Sequence, residues 1–229
     1  MNRIVHLLFL AAGVGLLGAV LFLPPEPGQP LQTTRMGPLA PQPLSGPAPD
    51  ITLTNAQGDA VKLADLHGRW VLLNFWASWC QPCVEELPHL ALLAEALTGK
   101  PVMLVLASVD DDPQDVAKLA DRFAGAPESD RNRELFSNTA RLIRGQLKNA
   151  LALSDRGEKV AHRLGTRKYP ETYLIDPRGQ YKAKFIGPMP WGKPQALRQL
   201  FALIWPASHA RPIAGKAAPA KDSKGAASR

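Results

Sequence analysis

Two stretches of the chain are apolar almost without interruption over the length of a β-strand, residues 70–75 (Trp-Val-Leu-Leu-Asn-Phe) and residues 102–107 (Val-Met-Leu-Val-Leu-Ala). Runs of this kind leave neither face of a strand for water, so both predict central strands covered on two sides. Between them, Leu87, Leu90, Leu93, Ala94 and Leu97 recur at helical spacing over residues 82–98, which makes the unit strand, helix, strand. Pro88 removes one hydrogen bond inside that helix and predicts a kink. Upstream, residues 51–53 and 60–63 flank Gln57-Gly58-Asp59 and read as a short hairpin.

Downstream, Asp112 is placed as an N-cap with Pro113 at the first helical position, predicting a helix to residue 123. A third helix is predicted over residues 131–147, where Phe136, Ala140, Ile143 and Leu147 share a face with Leu135 and Leu142 beside them. Gly145 is the weak point of that helix. After the apolar residues 151–153 come a short helix near residues 158–164 and strands at 172–175 and 181–186 across the Pro177-Arg178-Gly179 turn. A last helix follows Pro194 and ends near Trp205. This alternation is that of an α/β fold with one sheet.

The ends of the chain have a different character. Residues 4–23 form an apolar run broken only by His6 and preceded by Arg3, long enough to cross a bilayer as one helix. No small-x-small cleavage site precedes Pro24, so an uncleaved anchor is favoured over a removed signal. With Arg3 retained inside, the rest of the chain lies beyond the membrane, the expectation being an inner-membrane protein with a single span and a periplasmic domain. Residues 24–46 are rich in proline and read as an extended tether. Residues 207–229 have almost no large apolar side chain and read as a disordered basic tail. The domain itself is expected over residues 47–206, with residues 124–150 as an insertion covering a sheet edge.

Charge narrows the function. The 229-residue chain carries a net charge of +7, but +4 of it belongs to residues 207–229 and +1 to residues 1–49, leaving +2 for residues 50–206. No basic surface interleaved with aromatics can be read there, which argues against nucleic acid as a partner of the folded part. The chain has two cysteines, Cys80 and Cys83. Two cannot build a disulfide framework. The five histidines show no spacing that would complete a four-ligand zinc site. No loop for a nucleotide or flavin is present, so no cofactor is expected.

Trp79-Cys80-Gln81-Pro82-Cys83 stands where a buried strand gives way to a helix. Unpaired N–H groups and the positive end of the helix dipole favour a thiolate at Cys80, and a thiolate is the attacking species in disulfide exchange. Cys83, one turn on, can close on the same sulfur and release the partner. Pro82 in the first turn costs no hydrogen bond and stiffens the ring. Glu86, three residues after Cys83, falls on the same helical face. Either it tunes the thiols and accepts a proton, or it is a first-turn acid favoured by the dipole. Trp76 and Trp79 are candidate walls of the site, with plain packing as the alternative.

Residues 47–205 resemble the TlpA/ResA/CcmG (DsbE) group of membrane-anchored, thioredoxin-fold proteins. The likeness rests on Ala48-Pro49-Asp50, on the run from Leu72 to Cys83, on Glu86-Leu87-Pro88, and on Tyr169-Pro170-Glu171-Thr172-Tyr173-Leu174-Ile175-Asp176. The resemblance implies a thioredoxin-like fold, a thiol:disulfide oxidoreductase activity through Cys80 and Cys83, and a membrane anchor. It implies reduction of disulfides in exported clients such as apocytochrome c or copper-site cysteines, with electrons from a DsbD/CcdA-like transmembrane donor. It also matches Pro170 to the group's cis-proline beside the cysteines, and Glu86 to an acidic residue near the active helix. Asn74 stands where ordinary thioredoxins carry a buried acid, so proton handling is expected to differ from theirs.

Two other readings remain open at the level of sequence. Soft thiolates suit Cu(I), so the pair could serve a copper carrier, with His89 or Met189 as a third ligand. A thiol peroxidase would share the fold, but Ala77-Ser78-Trp79 precedes Cys80 where a peroxidase has Pro and Thr ahead of its reactive cysteine.

Overall fold

The structure, a computed structural model, describes residues 36, 39–126 and 132–205. Along the chain come strands β1 (Gln42–Pro43), β2 (Thr52–Thr54) and β3 (Ala60–Lys62), a 3-10 turn (Leu63–Leu66), β4 (Trp70–Trp76), helix α1 (Gln81–Ala96) and β5 (Val102–Ser108). They are followed by α2 (Pro113–Ala124), α3 (Arg133–Ile143), β6 (Ala150–Ser154), α4 (Lys159–Arg163), β7 (Glu171–Ile175), β8 (Tyr181–Ile186) and α5 (Pro194–Ile204).

The two apolar runs are neighbours in the middle of a mixed sheet with the order β1-β8-β7-β4-β5-β6-β2-β3. β4 and β5 pair in parallel from Trp70 opposite Val102 to Trp76 opposite Ser108. Since successive side chains of a strand point to opposite faces, burial of every residue from Val71 to Trp76 means that both faces are covered. Parallel partners need a crossover, and α1 supplies the one from β4 to β5. On the far side of β4, β7 runs antiparallel with Asn74 opposite Thr172 and Phe75 opposite Glu171. That register puts the residue before β7, Pro170, level with the end of β4, where the chain turns toward Cys80.

The sequence-level elements are found with shifts of a few residues. The hairpin turn is closed by Asn55, whose Oδ1 accepts from the Gln57 and Asp59 amides at 2.9 and 2.8 Å, with Gly58 at φ +88°. Asp112 caps α2 as expected, its carboxylate accepting from Gln114 N at 2.9 Å. Helix α3 stops at Ile143, earlier than the predicted residue 147, because Gly145 takes φ +67° and turns the chain toward β6. Helix α1 runs through Pro88 as one continuous element.

Two boundaries are corrected. Residues 42–46, assigned by composition to the tether, belong to the sheet. β1 pairs with β8, the Gly46 carbonyl accepts from Tyr181 N at 2.9 Å, and Leu39 is buried. Proline is tolerated there because β1 is an edge strand and pairs on one side only. The expected insertion over residues 124–150 does not cover a sheet edge. Its helix α3 packs on α1 and α2 as part of the connection from β5 to β6, and β6 lies inside the sheet between β5 and β2. Among the described residues no helix is long and apolar enough to cross a membrane. The predicted anchor at residues 4–23, most of the tether and the tail at 207–229 lie outside the described residues.

Candidate functional site

Cys80 is the N-cap of α1, with φ −87° and ψ 99°, and Gln81 and Pro82 open the helix. A cap residue is where the chain leaves extended geometry while the first helical amides still lack partners. Here the amide of Cys83 points at Cys80 Sγ, 3.3 Å away. The two sulfurs are joined as a disulfide, with the Cα atoms 5.3 Å apart. Cys80 retains 7% of its surface and Cys83 only 1%, so a visiting sulfur can approach Cys80 first. On reduction, the same amide would donate to a Cys80 thiolate, which lowers the cost of the charge.

The loop that delivers Cys80 is clamped from β5. Asp110, buried just beyond the C-terminal end of that strand, accepts from Ser78 N at 3.1 and 3.0 Å, from Ser78 Oγ at 2.6 Å and from Ser108 Oγ at 2.6 Å. Four bonds on one carboxylate fix the segment immediately before Trp79 and Cys80. Nothing in the sequence pattern singled out Asp110. The available signal was its place at the carboxyl end of a central strand, where α/β sheets carry their functional side chains.

Below the disulfide, Glu86 is buried. Its Oε1 accepts from Met189 N at 2.9 Å and from Trp191 Nε1 at 2.6 Å, and its Oε2 from Asn74 Nδ2 at 3.3 Å. Desolvation outweighs these bonds and pushes the carboxyl up to about 7. Glu86 is therefore not a first-turn acid exposed to the helix dipole; it is a buried group that changes charge near neutral pH. Asn74 also donates to Thr172 Oγ1 at 2.9 Å, while its Oδ1 is buried without a partner. Trp191, in the loop between β8 and α5, was missed, since a lone aromatic in a Gly- and Pro-rich segment carries no periodic signal.

Pro170 follows a cis peptide bond from Tyr169. Its carbonyl accepts from Gly187 N at 2.9 Å. Of the two candidate wall residues, Trp76 is buried in the core, whereas Trp79 is 64% exposed and meets the Tyr169 ring edge-on, the centroids 6.0 Å apart. His89 is half-buried, and burial together with Lys193 lowers its pKa. Met189 is buried beside Glu86 through its backbone bond. Among the described residues no group of three or more His, Cys, Asp and Glu side chains is placed to hold a metal.

A thioredoxin-like sheet carrying a C-x-x-C disulfide at the head of its first helix defines a class: the protein is a thiol:disulfide oxidoreductase of the ResA kind. The chain belongs to the AhpC/TSA family, whose model matches residues 44–184. It is 29% identical over 142 residues to the thiol-disulfide oxidoreductase ResA of Geobacillus thermodenitrificans (strain NG80-2), covering 62% of this chain and 68% of that one. To the thioredoxin-like protein YneN of Bacillus subtilis (strain 168) it is 28% identical over 142 residues, covering 62% and 71%. A solved structure from Chlorobium tepidum, described as a thiol:disulfide interchange protein DsbE, shares the fold with a TM-score of 0.53 at 24% identity, covering 69% of this chain and 96% of that one.

Proposed function

We propose that the protein is an extracytoplasmic, membrane-anchored reductase of client disulfides in which Cys80 attacks, Cys83 resolves and Glu86 handles the proton. The observation that carries this reading is the Cys83 amide aimed at Cys80 Sγ from the first turn of α1, with a carboxyl that ionises near neutrality one turn further along the same helix.

In the reduced protein the Cys80 thiolate attacks one sulfur of a client disulfide. The S–S bond of the client breaks, and its second sulfur leaves as a thiolate that takes a proton from water. Cys83 then gives its proton to the Glu86 carboxylate and attacks Cys80 Sγ, which releases the first client sulfur. Two electrons have passed to the client, and the Cys80–Cys83 disulfide seen here remains. A dithiol donor in the membrane would return two electrons by the reverse exchange. The export and anchoring part of the reading is supported by the apolar run at residues 4–23 and the proline-rich segment after it. Clients with paired cysteines on the same side of the membrane, apocytochrome c or a copper-site protein, fit that placement.

The test is a trap. Cys83→Ala should accumulate mixed disulfides that name the clients, and Cys80→Ala should abolish exchange. The midpoint potential fixes the direction of electron flow: a value close to that of strong disulfide donors, about −120 mV, overturns the reductase assignment. Placement is read by a membrane-impermeant maleimide on spheroplasts, where failure of reduced Cys80 to label while it labels after lysis removes the extracytoplasmic reading.

A further inference from the structure

Glu158 occupies a backbone position that suits glycine. Its φ of 56° lies in the left-handed region, and among the described residues it is the one non-glycine residue there. A strained conformation persists only where the surroundings enforce it. Here they do. The Asp155 carbonyl accepts from Glu158 N at 2.9 Å, and the Asp155 carboxylate accepts from the amides of Val160 and Ala161 at 2.9 and 2.7 Å. The turn between β6 and α4 is thus closed by Asp155, and the Glu158 side chain makes no cap bond to the helix amides.

What the strained position does is aim that side chain. Glu158 Oε2 accepts from the Tyr169 hydroxyl at 2.7 Å and lies 3.1 Å from His162 Nε2. Burial, and then the bond to Glu158, raise the Tyr169 hydroxyl above its ordinary pKa, so it stays a donor. Tyr169 precedes cis-Pro170, and its ring stands edge-on to Trp79, the residue before Cys80. A tether therefore runs from Glu158 through Tyr169 to the most exposed large apolar side chain described, at the rim of the disulfide. A rim aromatic contributes to binding a polypeptide when it is already fixed, because less rotamer entropy is lost on contact.

We propose that Glu158 is a positioning residue for client binding: it holds Tyr169, and through it Trp79, as a preformed aromatic wall beside Cys80 for an extended cysteine-bearing segment of a client. This rests on the reading of Cys80 and Cys83 as the exchange pair. Glu158 touches neither sulfur and acts through the wall.

The assay is steady-state reduction of a peptide with one internal disulfide between a fluorophore and a quencher, with dithiothreitol as the final reductant. Cys80→Ser tests the underlying reading, since turnover surviving in it would remove the exchange pair and not the wall. Glu158→Gly and Tyr169→Phe each break the tether from one end. Each should raise KM about fivefold, the usual effect of one lost hydrogen bond, with kcat within about twofold. The double variant should be no worse than either single one, because both remove the same contact. Glu158→Gln keeps an oxygen acceptor for Tyr169 and should restore a near-normal KM. An unchanged KM in both single variants, multiplying effects in the double variant, or Glu158→Gln behaving like Glu158→Gly would each overturn the proposal. Tyr169→Phe leaves the turn untouched, so it decides the matter even if Glu158→Gly fails to fold.

Discussion

Replacing Glu86 with glutamine should make the oxidised protein more stable at alkaline pH and hardly change it at acid pH. The carboxyl moves from 4.5 to about 7 on folding, with burial as the leading cause. A raised carboxyl pKa means that the folded state holds the proton more tightly than the unfolded chain. Its stabilising effect is complete below pH 4.5, declines as pH rises through the interval to about 7, and is absent above it. At about 1.4 kcal/mol per pKa unit, the interval amounts to roughly 3 kcal/mol. Glutamine is neutral throughout and can keep Oε1 on Met189 N and Trp191 Nε1. Its Nε2 would then face Asn74, where turning the amide over presents the otherwise unpartnered Oδ1 as an acceptor. The protonated carboxyl can use the same arrangement. Urea unfolding of both oxidised proteins between about pH 4 and pH 9 checks this, because all other titrations cancel in the difference. The wild type should lose roughly 3 kcal/mol relative to Glu86→Gln between the acid and alkaline limits. A difference that does not vary with pH would refute the reasoning, as would a carboxyl resonance titrating near 4.5.

Other expectations follow from individual contacts. Asp110→Ala leaves the Ser78 amide and the Ser78 and Ser108 hydroxyls without their acceptor, which should lower stability by about 2–4 kcal/mol in thermal or urea unfolding and speed hydrogen exchange at Ser78. Asp112→Ala should cost about 1 kcal/mol through the lost cap of α2 and leave exchange kinetics alone. Gly179→Ala puts an L side chain at φ +75°, with its Cβ 2.7 Å from His67 Nε2, and should lower the melting temperature. In the Cys80 and Cys83 variants, the trapping experiment should separate attack from resolution, with mixed disulfides from Cys83→Ala alone.

The sheet and helices could be read from the chain because their signals are local. An uninterrupted apolar run of only six or so residues has the length of a two-sided strand, a stripe at helical spacing buries one face, and Asp112-Pro113 marks a helix start by its own chemistry. The cysteine pair was legible for the same reason: two sulfurs three residues apart at the strand-to-helix junction are already within bonding reach, whatever the rest of the fold does. The tether boundary was misplaced because composition cannot tell a proline in an edge strand from a proline in a linker; only the partner strand β8 decides.

What the sequence determined, then, was the framework and the reacting pair. What tertiary structure decided was the environment of that pair. Glu86 is an ordinary helical glutamate by sequence, and it becomes a group that ionises near neutrality only because residues about a hundred positions away, Met189 and Trp191, close over it and exclude water. Asp110 becomes the clamp on the Cys80 loop only when β4 and β5 lie in register, and Glu158 reaches Tyr169 only because β6 runs parallel to β4 and β7 antiparallel to it, so that β6 ends where β7 begins. Hydrophobic periodicity acts over one or two turns of chain, whereas desolvation and hydrogen bonding depend on which distant segments meet.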